Sequence, residues 1–218
     1  LNAAARPLRG LYAITSAALC ADPARLRAAA AAALRGGAAL LQLRDKHSGP
    51  DARRANARAL AALCREHGAR LIINDDVALA LDCGADGVHL GAADPPLTQA
   101  RAALGPSAIL GASCGPSLPR AQAAVAAGAD YVAFGRFFAS RTKPDAPQAE
   151  PALLAQARAQ IRVPICVIGG LSPDNAGVLL ASGADLVAAV EGVFGGGEPA
   201  EVEAAARAYA RLFDGFSR

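Results

Sequence analysis

The 218-residue sequence contains no tryptophan, and aromatic residues make up only 4% of it. That scarcity argues against a single-stranded nucleic-acid binder, which stacks bases on aromatic side chains. A strong charge of one sign is also missing: 22 Lys and Arg stand against 19 Asp and Glu, a formal net charge of +3. So small an excess is no nucleic-acid footprint. It fits a local need for cations beside an anionic ligand. No C-x-x-C pair occurs, and the five cysteines (Cys20, Cys64, Cys83, Cys114 and Cys166) are an odd number. A disulfide framework and a zinc site are thereby disfavoured; reduced, buried thiols in a cytoplasmic protein are expected. Cys114 stands out only because it adjoins a candidate site serine. No apolar run reaches bilayer length. The Ala-rich residues 28–34 are bounded by Arg27 and Arg35 and read as a helix. The start lacks the basic flank and apolar core of a secretory leader, so neither export nor a membrane partner is expected.

What is present is a globular composition, 53% hydrophobic and 19% charged. Short apolar runs recur at residues 11–15, 40–44, 71–74, 87–90, 108–113, 131–135, 164–169 and 186–190. Helix-like stretches follow them, at 23–35, 51–67, 77–83, 97–104, 118–127, 151–160, 174–181 and 198–212. Glycines at 36, 68, 84, 128 and 183 suit helix ends. Gly-Ala-Asp recurs at 84–86, 128–130 and 183–185, each time joining a helix end to a strand start. Eight such βα units predict one α/β domain, a (βα)8 TIM barrel over 1–218. A doubly wound open sheet is the alternative.

In such a barrel the reactive residues sit at the C-terminal ends of the strands. The second strand ends in Gln42-Leu43-Arg44-Asp45-Lys46. Alternation points Gln42, Arg44 and Lys46 one way, a grip for a polar ring and phosphates. The third ends in Asn74-Asp75-Asp76, and Asp94 follows the fourth. Carboxylates from neighbouring strand ends suit Mg²⁺, which takes one or two of them plus phosphate oxygens. Either could instead cap a helix; Asp76 is the better cap, which leaves Asp75 and Asp94 as metal candidates. His89, inside a strand, reads as a packing or orienting residue. Ser113 has no His/Asp relay in its local sequence and reads as a donor to a phosphate. After the sixth strand, Arg136, Ser140, Arg141, Thr142 and Lys143 bring two hydroxyls and three cations to one loop and suggest an anion clamp. Gly169-Gly170 lets backbone N–H groups approach a phosphate, with Ser172 or Asp174 capping the next helix. Val190-Glu191-Gly192 closes the ring at the eighth strand.

The combination Q-x-R-x-K at 42–46, N-D-D at 74–76, G-V-H-L-G-x-x-D at 87–94, Ser113, Ser-x-Thr-Lys at 140–143 and I-G-G at 168–170 resembles the thiamine phosphate synthase family. The likeness spans residues 11–190. It implies a transferase that joins 4-amino-2-methyl-5-hydroxymethylpyrimidine pyrophosphate to 4-methyl-5-(2-phosphoethyl)thiazole, or its carboxylated form. Residues 42–46, Asn74, Ser113 and Lys143 would bind the pyrimidine pyrophosphate, and Asp75 and Asp94 would bind Mg²⁺. Ser140, Arg141, Thr142, Gly170, Val190 and Glu191 would bind the thiazole phosphate. Arg44, Ser113 and Lys143 are the catalytic candidates. Two small phosphorylated substrates are the expected partners, with room left for a homo-oligomer. Glu191 stands where the family usually has Ser, Gly115 where His is common, and Ser140 where Thr is usual. A thiazole tautomerase and a phosphate-ligand sensor on the same barrel are the competing readings.

Overall fold

The computed structural model describes residues 8–139 and 147–216. Eight parallel strands close on themselves in sequence order, with β1 paired to β8. They are β1 (Gly10–Ile14), β2 (Ala38–Leu43), β3 (Arg70–Asn74), β4 (Gly87–Leu90), β5 (Ile109–Gly115), β6 (Tyr131–Gly135), β7 (Ile165–Ile168) and β8 (Leu186–Ala189). The helices are α1 (Ala17–Cys20), α2 (Pro23–Arg35), α3 (Pro50–His67), α4 (Val77–Cys83), α5 (Leu97–Leu104), α6 (Leu118–Ala126), α7 (Ala152–Gln160), α8 (Pro173–Ala181), α9 (Glu191–Phe194) and α10 (Pro199–Leu212). This is the (βα)8 barrel, so the open-sheet alternative falls. The four-residue helices α1 and α9 were not anticipated. Strand β7 stops at Ile168 and β8 at Ala189, which moves Gly169 and Val190 into the loops. Among the described residues no helix is long and apolar enough to cross a membrane.

Strand alternation sorts the apolar residues into two layers. Tyr12, Leu40, Ile72, Tyr131, Cys166 and Leu186 fill the barrel interior. Their sequence neighbours Leu11, Leu41, Leu71, Val132, Val167 and Val187 face the helices. All five cysteines are buried free thiols. Small side chains set the outer spacing. Helix α2 lays Ala29, Ala30, Ala32 and Ala33 against the barrel and α10. Its start is fixed by Asp22, which accepts from the N–H groups of Ala24 and Arg25, with Pro23 in the first turn.

The Gly-Ala-Asp repeat works as a latch at the N-terminal end of the barrel. Asp86 accepts from Leu71 N at 2.7 Å and returns its own N–H to Leu71 O at 2.9 Å. Asp130 does the same with Leu110, at 2.7 Å both ways. Asp185 does it with Ile165, at 2.8 Å both ways. Each latch therefore ties a strand to the one before it, β3 to β4, β5 to β6, β7 to β8. Arg101 and Arg158 add charged donors to Asp130 and Asp185 at 2.6 and 3.0 Å. The first pair carries Ala39 in the corresponding place, and there the register slips between Leu11 and Tyr12. Replacing Asp185 by Ala orphans the Ile165 N–H and takes the carboxylate from Arg158, which keeps its bonds to Ile161 O and Val163 O. The expected cost is about 1–3 kcal/mol, read as a lower urea midpoint. An unchanged midpoint would show that the latch carries no stability.

Candidate active site

The C-terminal ends of the strands surround a cavity of about 460 Å³. Its floor is Tyr12, Ile14, Ala133, Cys166, Ile168 and Ala188; its polar wall includes Gln42, Arg44, Asn74, His89 and Ser113. Alternation along β2 turns Gln42 and Arg44 to the cavity and sends Leu43 into the layer under the helices. Thr15, fully buried, accepts from Arg44 N at 2.9 Å and so fixes the strand exit. Three residues of the 42–46 segment, Leu43, Asp45 and Lys46, are not among the cavity walls. Leu43 is 2% exposed in the outer core. Asp45 folds onto its own loop, accepting from Ser48 N at 3.0 Å and His47 N at 3.3 Å. Burial pushes the Asp45 carboxyl up, but Ser48 and His47 outweigh it and hold it below the ordinary range. The side chains of Leu43 and Asp45 therefore have structural contacts here.

Lys46 reaches over the rim to Asp75 at 2.9 Å. The side chains of Asp75 and Asp94 lie within hydrogen-bonding reach of each other. Asp94 also accepts from Gly91 N at 2.6 Å. Asp75 is the one non-glycine residue with positive φ (65°) among the described residues, a strained conformation of the kind that clusters at functional sites. Asp76 caps α4 by accepting from Leu79 N at 2.9 Å, as its place in the sequence predicts. Burial and the facing Asp75 charge raise the Asp94 pKa against the pull of Gly91 N–H. Asp75 is lowered: burial opposes ionisation, but the Lys46 ammonium and the Asp94 and Asn74 side chains outweigh it. Among the described residues no three His, Cys, Asp or Glu side chains gather to hold a metal. Two carboxylates meeting from neighbouring strand ends fit Mg²⁺, which takes one or two of them beside phosphate oxygens and water, better than an all-protein site.

His89 is 9% exposed and both ring nitrogens are engaged, Nδ1 with Tyr131 OH and Nε2 with Ser113 Oγ, each at 2.8 Å. A histidine thus faces Ser113 after all, from β4, which local sequence could not show. Behind it stands a phenol rather than a carboxylate, so the three do not make a Ser-His-Asp triad. Cys114 points away from the cavity into the outer core, and burial pushes its thiol up to about 11. It is no reactive thiol.

The opposite wall comes from β7 and β8. Gly170 has φ 62°, and a Cβ there would lie 2.1 Å from Ala139 O. Asn175 staples that turn, accepting from Ser172 N and donating to Gly170 O. Tyr209 of α10 props both loops: its hydroxyl donates to Leu171 O, and a Cβ at Gly192 would meet it at 2.2 Å. Helices α8 and α9 both start here, and helix starts leave N–H groups without intrahelical partners. The Glu191 carboxylate folds along its helix toward Gly195, leaving the helix start to its backbone. Ser140, Arg141, Thr142 and Lys143 lie outside the described residues. Arg136, read from sequence as one of the cations after the sixth strand, lines the cavity, whereas Tyr12, Tyr131 and Tyr209 were missed from sequence. For Tyr12 and Tyr131, inward parity was the signal.

The family model described as thiamine monophosphate synthase matches residues 11–193. This chain belongs to that family. Family membership makes it an enzyme, a transferase of thiamine biosynthesis. A thiamine-phosphate synthase of Thioalkalivibrio sulfidiphilus is 53% identical over 207 residues, covering 95% of this chain and 96% of that one. The solved thiamine phosphate pyrophosphorylase of Pyrococcus furiosus is 30% identical, with a TM-score of 0.84 over 98% of this chain and 99% of that one. That of Bacteroides thetaiotaomicron shares the fold at 14% identity, with a TM-score of 0.70 over 96% of this chain and all of that one.

The raised Asp94 pKa sets a sign for stability. The folded protein holds a proton that the unfolded chain releases, so this contribution is present at low pH and is lost as pH rises through the folded pKa. Asp94→Asn keeps the acceptor for Gly91 N–H and removes the like charge. Its thermal midpoint is expected to exceed the wild type's at neutral pH and to converge with it below the ordinary carboxyl range. A lower midpoint at neutral pH would show that the two carboxylates do not repel.

Proposed function

We propose that this enzyme joins 4-amino-2-methyl-5-hydroxymethylpyrimidine pyrophosphate to 4-methyl-5-(2-phosphoethyl)thiazole, or its carboxylated form, and releases pyrophosphate. The observation that carries this reading is the meeting of Asp75 and Asp94 at the rim, with Lys46 on one of them and Arg44 and Ser113 on the cavity wall below. Mg²⁺ held by Asp75 and Asp94 would offset the charge of the departing pyrophosphate.

The protein's own groups do the rest. Gln42 and Asn74 face the ring, and Arg44 and Ser113 present donors to the diphosphate. Lys143 joins them by the family resemblance, and Ser140, Arg141 and Thr142 join the thiazole phosphate site in the same way. Ile14, Ala133 and Ile168 line an apolar floor that keeps water from the reacting carbon. Gly170 and the starts of α8 and α9 offer backbone N–H groups to the thiazole phosphate. The C–O bond breaks with its electron pair leaving on pyrophosphate, and the electron-rich aminopyrimidine supports the positive methylene carbon. The thiazole nitrogen lone pair then forms the C–N bond. No proton is abstracted from carbon, so no strong base is needed. Positioning of the two substrates supplies much of the rate. Five buried thiols accord with a reducing, cytoplasmic setting.

The test is pyrophosphate release with both substrates, with and without Mg²⁺. Release should need both substrates and the metal, and Asp94→Ala should abolish the metal dependence along with most activity. Arg44→Ala should lose at least about tenfold in kcat/KM, the scale of one charged hydrogen bond. Arg162→Ala, exposed before β7 at the other end of the barrel, should lose none. Turnover of a thiazole alone would favour the tautomerase, and binding without turnover the sensor.

A further inference from the structure

Five side chains from five strands touch in series beneath the cavity. Gln42 Nε2 donates to Tyr12 OH at 2.5 Å. Tyr12 OH lies 2.9 Å from Tyr131 OH, Tyr131 OH 2.8 Å from His89 Nδ1, and His89 Nε2 2.8 Å from Ser113 Oγ. Burial pushes both phenols far above their usual range, so each keeps its single proton. Space for the crossing is left by Gly111, which sits in register between His89 and Tyr131. A Cβ there would lie 2.1 Å from Tyr131 Cζ. Over that gap Tyr131 stacks on His89, with centroids 5.5 Å apart and planes at 27°.

We propose that this series is one directional hydrogen-bond chain. In it Tyr12, Tyr131 and His89 are positioning residues that fix which face of its amide Gln42 shows the ring and make Ser113 a donor toward the diphosphate. The direction follows from bookkeeping of protons. Tyr12 accepts from the Gln42 amide, so its own proton goes to Tyr131. Tyr131 then gives its proton to His89 Nδ1, and the imidazole carries its proton on Nε2, toward Ser113 Oγ. The Ser113 proton is left for the cavity, where phosphate oxygens need a donor. At the other end the Gln42 carbonyl is left for the cavity, an acceptor that fits an amino group on the ring and rejects a carbonyl there. The same heavy atoms would also support the reverse order, with Ser113 donating to His89 and Tyr12 donating to residue 42. That order would spend the Ser113 proton and invert the face shown to the ring. Buried polar groups pair fully where they can, so one end sets the other. The ligands named at the two ends rest on the synthase reading; the proton order does not.

The experiment reads the tautomer of His89 by ¹⁵N NMR without ligand. The exposed His47 and His67 are replaced by Gln, leaving one imidazole. The wild-type chain should carry its proton on Nε2 with Nδ1 bare. Gln42→Glu, read well above the ordinary carboxyl range, puts an acceptor-only group at the head of the chain. Every proton should reverse and the His89 proton should move to Nδ1. Adding Tyr131→Phe should break the relay, so that the tautomer no longer responds to residue 42. The Kd for Mg²⁺–pyrophosphate should rise roughly tenfold in Gln42→Glu, and the second substitution should recover several-fold of that, which a charge effect alone would not. A wild-type proton on Nδ1, or on both nitrogens, overturns the proposal. So does a tautomer that ignores Gln42→Glu, or one that still follows it through Tyr131→Phe. Failure of the two-substrate assay with the tautomer results intact would sink the synthase reading alone.

Discussion

Two carboxylates in hydrogen-bonding contact repel unless a proton or a cation lies between them, and the site is organised around that repulsion. Asp75 and Asp94 come from adjacent strand ends and are held facing each other. The surroundings resist their escape. Gly91 N–H grips Asp94, Lys46 grips Asp75, and Asp75 sits at φ 65°. Asp76, next in sequence, is pinned as the cap of α4. A left-handed aspartate followed by a capping aspartate costs backbone strain and presents a carboxylate upward. The fold tolerates that strain because both neighbours are fixed.

Such a rim needs a rigid base, and the barrel supplies it at the opposite end. The three Gly-Ala-Asp latches close strand pairs two bonds at a time and leave the C-terminal ends free for chemistry. Stability and function are thus segregated along the barrel axis, as in barrels generally. The loops after β7 and β8 are built on the same plan. Gly170 and Gly192 bring backbone to within a distance that no side chain would permit, and Tyr209 reaches through from α10 to hold both loops.

Most of the framework was legible because its signals are local. Helices α2, α4 and α5 begin and end where Pro, Asp, Gly and apolar spacing place them. Helices α1 and α9 escaped because four residues are too few to show a period. The site divides in the same way. Gln42, Arg44, Asn74 and Ser113 were readable from their places at strand ends, and they do line the cavity. Asp45 was not readable as a loop clip, since nothing in a pentapeptide says whether a carboxylate will turn back on its own backbone. The partnership of His89 with Tyr131 and Ser113 was hidden by separations of 42 and 24 residues. Pairing of β4 with β5 and of β5 with β6 brings these three together, barrel closure adds Tyr12 of β1, and inward parity on the four strands was the one trace in the sequence.

That hidden partnership also supports the proposed role of Ser113. A serine beside a histidine invites the role of nucleophile, which requires the imidazole to accept the hydroxyl proton. Here the group behind His89 is a phenol whose proton is held by burial, in line with another phenol and an amide N–H. A carboxylate in that place would stabilise an imidazolium; a phenol donating to Nδ1 does the reverse, because it favours a bare Nδ1 and a proton on Nε2. In the proposed proton order, the hydroxyl next to such a histidine would give its proton to the cavity. Under the proposed function, a Ser113 donor for the leaving diphosphate and a His89 that takes no proton from it would be one fact seen from two ends, and both would suit a substitution in which the substrate's own ring carries the positive charge.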